Sequence, residues 1–374
     1  MVTNRSSTTR TTILISLTLS LASLGDTLLY PVLSSDYQTF GVSLYWVGIL
    51  LSVNRFVRLV ANRVVAYAIQ VLGLHRSSVW AAVIASVTTI LYGISHQLII
   101  LLVARVGWGI AYATLRINTI HQALAGEKKG LLLGLSGALY EIGPLLALGV
   151  GPSLIRILGI PTTFVVMGLL SLTAVYLAWQ LPQNIEKRQE ATIEGLSWPN
   201  RIEQLVFWVA TVVEGGLVVM MATLFLEVEI RPEKLIMLTA LYLIIRRMSG
   251  LLLSPLVGWL ADRLGLKKVF VAILIGLIIA LGLISVGIVE VGIAACFVMA
   301  RMFATLSPAM AIRITPEAKR LPMLASLTTW RDLGAAVGAL LGLIVLQMTG
   351  ATVLFGITAF IIFIYTLWII KNEH

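Results

Sequence analysis

The chain has 374 residues, of which 59% are hydrophobic and only 12% charged, yet its formal net charge is +10. With a mean hydropathy of +0.97 it has too little polar side chain to cover a water-soluble globule, which excludes a soluble enzyme and a soluble nucleic-acid binder alike. At about 20 residues per crossing, this length holds about twelve membrane spans and almost no domain outside the lipid bilayer.

Arg5 and Arg10 precede the apolar run from Thr12 to Leu33. The run is too long for the core of a signal peptide and many more spans follow, so it reads as an uncleaved first helix. Helix two is expected over 44–70, three over 77–94, four over 98–118, five over 131–154 and six over 161–181. The polar stretch from Pro182 to Glu203, with Glu186, Lys187, Arg188, Glu190, Glu194 and Arg201, reads as a linker. It divides the chain into an N-terminal six-helix bundle (1–181), the linker (182–203) and a C-terminal six-helix bundle (204–374). Helices seven to twelve are expected over 204–225, 235–260, 269–286, 291–312, 322–348 and 351–370. The N-terminal segment and the even-to-odd turns hold Arg76, Lys128, Lys129, Lys187, Arg263, Lys267, Lys268, Arg313 and Lys319, whereas the opposite turns hold little beyond Arg156, Arg231 and Lys234. Basic residues accumulate in cytoplasmic loops, so both termini are expected in the cytoplasm. The single cysteine, Cys296, lies in an apolar run and suggests neither a disulfide nor a metal site.

The two halves resemble each other. Leu72-Gly73-Leu74-His75-Arg76 lies over Leu264-Gly265-Leu266-Lys267-Lys268 at an offset of 192 (265 minus 73), which also places Arg55 over Arg247. With small drifts in offset, Glu141 falls over Asp332, Gly143, Ala147 and Gly151 over Gly334, Gly338 and Gly342, Ala104-Arg105 over Ala300-Arg301, and Asp26 over Glu214. Such drift fits parallel repeats related by an axis along the membrane normal.

Between helices eight and nine stands Gly258-Trp259-Leu260-Ala261-Asp262-Arg263-Leu264-Gly265-Leu266-Lys267-Lys268. This G-x-L-A-D-R-x-G-x-K-K pattern resembles the cytoplasmic loop signature of the major facilitator superfamily (MFS). The resemblance covers the whole chain and implies an all-α membrane protein with twelve transmembrane helices in two pseudo-symmetric bundles. It also implies a conformational lock built from Gly258, Asp262, Arg263, Gly265, Lys267 and Lys268. By the resemblance, Asp262 meets the start of helix five near Gly130, where the helix dipole favours an anion. The first-half copy departs from the pattern: Ala66, Gln70 and Val71 replace the glycine, aspartate and arginine, so the lock there lacks its charge. Helix five carries Gly143, Pro144 and Gly151, resembling in diluted form a signature common in MFS antiporters. Together with Gly334, Gly338 and Gly342 these residues form small-residue faces for close helix packing.

Charges inside spans are costly and mark cavities or partners. Asp26, Glu141, Glu214 and Asp332 are the candidates for carrying a coupled proton. Arg55, Arg105, Arg301 and Arg331, with Tyr30, Tyr140, Trp108 and Trp330, are candidates for lining a substrate cavity. A competing reading makes these charges permanent ion pairs, with adjacent Arg331 and Asp332 joined and Arg58, Arg246 and Arg247 snorkelling to the cytoplasm. No G-x-x-x-x-G-K-[ST], H-E-x-x-H, G-x-S-x-G or C-x-x-C occurs, so neither ATP hydrolysis nor enzyme chemistry is expected, and no cofactor or metal.

The resulting expectation is a secondary transporter working by alternating access, alone in a bacterial inner membrane. It would export, in exchange for protons, a small anionic, zwitterionic or amphipathic molecule such as a metallophore or drug. The alternatives are proton-coupled uptake and a non-transporting sensor or subunit on the same scaffold.

Overall fold

A computed structural model of the chain describes residues 2–183, 198–227, 232–313 and 315–372. Five linker charges, Glu186, Lys187, Arg188, Glu190 and Glu194, lie outside the described residues, as does Arg231 in the turn after helix seven. Among the described residues all regular structure is helical. The first span, α1, comprises Val2–Ala22 and Leu24–Ser35 on either side of Ser23. A single helical run, Leu44–Ile94, is broken at Gly73 into α2 (44–72) and α3 (74–94). Then come α4 (Leu98–Leu124), α5 (Lys129–Leu158) and α6 (Ile160–Trp179). The span α7 has three parts, Arg201–Val209, Ala210–Leu217 and Val218–Glu227. It is followed by α8 (Pro232–Leu264), α9 (Leu266–Ser285) and α10 (Val289–Arg313). The run Arg320–Asn372, broken at Gly350, supplies α11 (320–349) and α12 (351–372).

The repeat is visible in the backbone. Gly73 and Gly350 adopt φ +75°, a region open to glycine at little cost, and each reverses the chain within one residue. Gly265 and Gly159, the positions matching them in the other half, also have positive φ, +98° and +78°. By length and composition ten apolar helices can cross a bilayer, and two of these, of 46 and 52 residues, are the runs broken at glycine. At 1.5 Å per residue each is long enough to cross twice, so the described residues form twelve spans.

The chain gathers into two compact units. Unit 1 comprises Met1–Glu127, Leu139–Leu196 and Glu317–Ala325; unit 2 comprises Lys128–Ala138, Ser197–Pro316 and Ser326–His374. The units thus follow the sequence halves except for the first turns of α5 and α11. In unit 1, Ile15 and Leu19 of α1 pack with Ala81, Ala82 and Ala85 of α3, Trp108, Ala111 and Leu115 of α4 and Ala174 and Ala178 of α6. The alanines let the helix backbones approach closely, which replaces the hydrophobic driving force that lipid does not supply. A second cluster, around Leu28, Phe40, Phe164 and Met167, continues this core. In unit 2, α10 packs on α8 and α9. Side chains such as Val103, Leu252 and Ile279 are left 58–62% exposed, a perimeter suited to lipid rather than water.

Helix α7 begins earlier than its hydropathy suggests. Asn200 Oδ1 accepts from the Glu203 N–H at 2.9 Å while Glu203 Oε2 accepts from the Asn200 N–H at 2.7 Å. This capping box satisfies two N–H groups at the helix start and places Glu203 inside the helix rather than in the linker.

Candidate functional site

Unit 1 holds a buried ion pair. The Ser23 hydroxyl donates to the Leu19 carbonyl at 2.7 Å, a back-bond that bends helices, and α1 is interrupted there. The helix then continues through Pro31 to Ser35, so the interruption lies upstream of the proline. Asp26 sits in the first turn of the new segment, where the helix dipole favours a carboxylate. Its partner is Arg105 of α4, which is fully buried. Arg105 Nε also donates to the Leu50 carbonyl at 2.7 Å, Nη2 donates to that of Leu51 at 3.5 Å, and the guanidinium lies 5.5 Å from the Tyr30 ring. One guanidinium thereby joins α1, α2 and α4. Tyr30 adds a hydrogen bond from its hydroxyl to the Leu51 carbonyl at 3.3 Å.

Unit 2 holds a second pair at the matching acid. Glu214 lies in the middle part of α7, Ala210–Leu217, which is a π-helix. Such segments hold an extra residue per turn and cluster at functional sites. Arg331 Nε lies 3.0 and 2.9 Å from the two Glu214 oxygens, and its Nη2 lies 2.9 Å from Oε2. The π segment is held against α11 by small residues. A Cβ on Gly215 would overlap the Ala335 carbonyl, and one on Gly338 would overlap that of Thr211. Unlike Arg105, Arg331 is 25% exposed.

Arg246 of α8, eighteen residues from the helix end at Leu264, does not snorkel. Its guanidinium lies 5.8 Å from the Phe297 ring of α10 and within electrostatic range of Glu214, Arg301, Arg331 and Arg247. Of the two readings open to it in the sequence, snorkelling to the cytoplasm is thereby set aside. Arg301 lies against Gly250, where a Cβ would crowd its guanidinium.

The loop signature forms one hydrogen-bonded contact within unit 2. Asp262 Oδ1 accepts from the Gly130 N–H at 2.9 Å and Oδ2 from the Leu131 N–H at 2.8 Å. These are first-turn donors of α5 that have no partner within their own helix. Gly258 and Gly130 meet backbone to backbone, and Gly134 lies against Ser254 and Pro255. The matching place in unit 1 is apolar: Ala66 and Ile69 of α2 pack with Leu321 and Ala325. There the Gln70 Oε1 atom is buried without a hydrogen bond in the described structure, and Pro322 has no N–H to offer.

The remaining candidates are dispersed. Glu141 is buried at 2% exposure on α5. Its neighbour Tyr140 forms an aromatic chain with Tyr112 and Trp108, with Arg116 lying 5.9 Å from the Tyr140 ring. Trp108 is 1% exposed and part of the unit 1 core. Trp330 packs edge-on against Phe207 at 6.1 Å. Arg55 and Asp332 are half-buried on α2 and α11. Gly143 donates its N–H to Ser20 Oγ at 2.7 Å, and Gly151 abuts Leu28, so the small face of α5 carrying Pro144 packs on α1. Among the described residues no group of three or more His, Cys, Asp or Glu side chains is placed to hold a metal ion.

Twelve apolar spans in two like halves, with an intramembrane carboxylate–arginine pair in each, define a polytopic helical membrane protein. The profile of the Major Facilitator Superfamily matches residues 15–228 and 204–374, and the chain belongs to that family. No curated protein matches it. Among solved structures it is similar to a bacterial homologue of the iron transporter ferroportin in an outward-facing state: TM-score 0.71, 14% identity, covering 97% of this chain and 98% of that one. The same homologue with soaked iron gives 0.71 at 15% identity over 97% and 98%. The human organic anion transporter MFSD10 (TETRAN) gives 0.71 at 14% identity over 96% and 99%. At these identities the likeness is one of fold.

Proposed function

We propose that this protein is a proton-coupled secondary transporter that exports a small organic molecule bearing anionic or zwitterionic groups, of metallophore or drug type. It acts as a single chain in a bacterial inner membrane with both termini cytoplasmic. The observation that carries this reading is the pairing of Asp26 with Arg105 and of Glu214 with Arg331, at matching places in α1 and α7. A carboxylate inside a span is far cheaper protonated than charged unless a guanidinium stays beside it. Gain of a proton and loss of the arginine are therefore linked events, which is what coupling requires. The name of one structural neighbour, an organic anion transporter, supports an organic cargo. Asp262 on the α5 N-terminus serves as a lock that favours one state of the transport cycle.

One feature favours a second reading, proton-coupled uptake. Protonating Glu214 removes the negative charge that now faces Arg331, and the positive charge that remains favours an anion nearby. Proton and anion would then bind together rather than in competition. Proteoliposomes loaded with a pH-reporting dye and challenged with a panel of organic acids, amino acids and lipophilic dyes test both. Cargo-dependent proton flux is expected, and its direction separates export from uptake. If Asp26→Asn, Glu141→Gln and Glu214→Gln all keep full pH-driven transport, proton coupling is wrong.

A further inference from the structure

We propose that the α8–α9 end of unit 2 binds the headgroup of an anionic phospholipid, through Trp259 and Arg263 of α8, Lys267 and Lys268 of α9 and Lys371 of α12. The site requires the membrane placement of the chain and not the coupled transport proposed above. On α8, Leu252, Leu256, Trp259 and Arg263 share one helical face and are all exposed. The Arg263 guanidinium lies 4.2 Å from the centre of the Trp259 ring, a cation–π contact that holds it at the end of an apolar track. Gly265, at φ +98°, separates α8 from α9, and two residues on Lys267 Nζ donates to the Ile370 carbonyl at 3.1 Å. That hydrogen bond sets the start of α9 beside the end of α12, where the exposed Lys371 follows. Phe363, Leu367 and Ile370, also exposed, lead up to Lys371 as Leu252 and Leu256 lead up to Arg263.

Cations gathered in this way repel one another. Asp262 is the acid of the same turn, and both its oxygens are engaged by N–H groups of α5. Among the described residues no carboxylate forms an ion pair with Arg263, Lys268 or Lys371; Glu373 lies outside them. An anion from outside the chain offsets the repulsion, and the guanidinium fork matches the oxygens of a phosphate. The two apolar tracks select a lipid over free phosphate, because acyl chains can lie along them below a headgroup held at their ends. Unit 1 provides a comparison. At the offset of 192, Val60, Val64 and Tyr67 of α2 repeat the α8 stripe and are likewise exposed, but Val71 stands in the place of Arg263. His75 replaces Lys267 and lies 3.0 Å from the Leu181 carbonyl, after which Pro182 follows where Lys371 follows Ile370. The same lipid-facing track thus recurs without the cations, so contact with lipid alone does not account for them.

Native mass spectrometry of the purified full chain tests the site, with detergent micelles doped with phosphatidylglycerol or with zwitterionic phosphatidylcholine. Phosphatidylglycerol should be retained in preference, less so as salt is raised. Each basic side chain near an anionic surface contributes about fivefold to binding, so Arg263→Gln combined with Lys371→Gln should weaken retention by about 25-fold and Lys268→Gln alone by about fivefold. Arg263→Lys with Lys371→Arg keeps the charges and should keep most of the binding, and Arg76→Gln in unit 1 should change nothing. Thermal unfolding in detergent separates lost binding from lost fold, and Lys268→Gln, on an exposed side chain, serves if the double variant does not fold. Equal retention of the two lipids would overturn the site, as would undiminished phosphatidylglycerol binding by the folded glutamine variants. Displacement of the lipid by millimolar inorganic phosphate would overturn the choice of a lipid as occupant. Transport plays no part in these measurements: proton-coupled transport without a lipid preference would sink the site alone, whereas lipid preference without proton flux would sink the coupling reading and keep the site.

Discussion

Replacing Asp262 by Asn removes the charge from the α5 N-terminus and turns one of its two acceptors into a donor facing an N–H. Both acceptors are engaged in the native chain, at 2.9 and 2.8 Å. A first-turn cap is worth about 0.5–2 kcal/mol, and an anion at a helix N-terminus about 0.3–1 kcal/mol, rising to about 2 in partly buried geometry. These terms overlap, so the expected loss is about 1–2 kcal/mol, equivalent to about a 5- to 30-fold gain in the population with the contact open. Ser254 reports that opening, because it is 2% exposed and lies under Gly134 of α5. In a chain lacking the buried Cys296, a cysteine in place of Ser254 reacts with a maleimide only when the first turns of α5 leave α8. Its labelling rate then follows the open population. The rate should rise 5- to 30-fold on adding Asp262→Asn, with little change in thermal unfolding, and Asp262→Glu should restore part of the protection. An unchanged rate in a folded Asp262→Asn protein would refute the lock.

The two ion pairs should respond differently to neutralisation. Asp26→Asn leaves the Arg105 guanidinium charged and fully buried, so about 3–5 kcal/mol of stability should be lost, seen as a lower unfolding midpoint. Glu214→Gln, next to the partly exposed Arg331, should cost less stability and instead abolish gradient-driven accumulation while sparing exchange. Gly338→Val drives a side chain into the Thr211 carbonyl and should destabilise the chain by about 1–3 kcal/mol or prevent folding, measured by thermal unfolding in detergent. Cysteines at Lys187 and at Asp36 should label from opposite sides of the membrane in intact cells. Labelling from one side would remove the cytoplasmic placement of the linker.

Spans and turns are legible in this sequence because lipid leaves the backbone few options: every polar group must be satisfied within a helix, and a polar turn must follow each apolar run. Gly73 and Gly350 are the tightest of these turns, and the breaks expected after residues 70 and 348 fall on them. The charges Asp26, Arg105, Glu214 and Arg331 also stand out, as rare residues in apolar runs. Their pairing does not, because sequence gives depth along a helix but not which neighbour its face meets. Adjacency suggested joining Arg331 to Asp332, but it could not show that Arg331 reaches Glu214 on another helix. The direction of Arg246 was open for the same reason: it depends on how α8 packs against α10. The π segment of α7 leaves no mark in composition at all.

That π segment makes α7 tolerant of a change in length that other spans would not survive. Deleting one residue from an ordinary transmembrane helix rotates everything beyond it by about 100°, turning lipid-facing side chains into the bundle. Between Ala210 and Leu217 the chain already holds a surplus, because π turns contain more residues than α turns. Removing Val213 would let the segment relax toward a regular helix, with the flanking parts of α7 close to their present faces and only the few residues around Glu214 re-aimed. A carboxylate in a π segment can in this way be moved around its helix by insertion or deletion rather than by substitution, which re-aims it while the packing faces are kept.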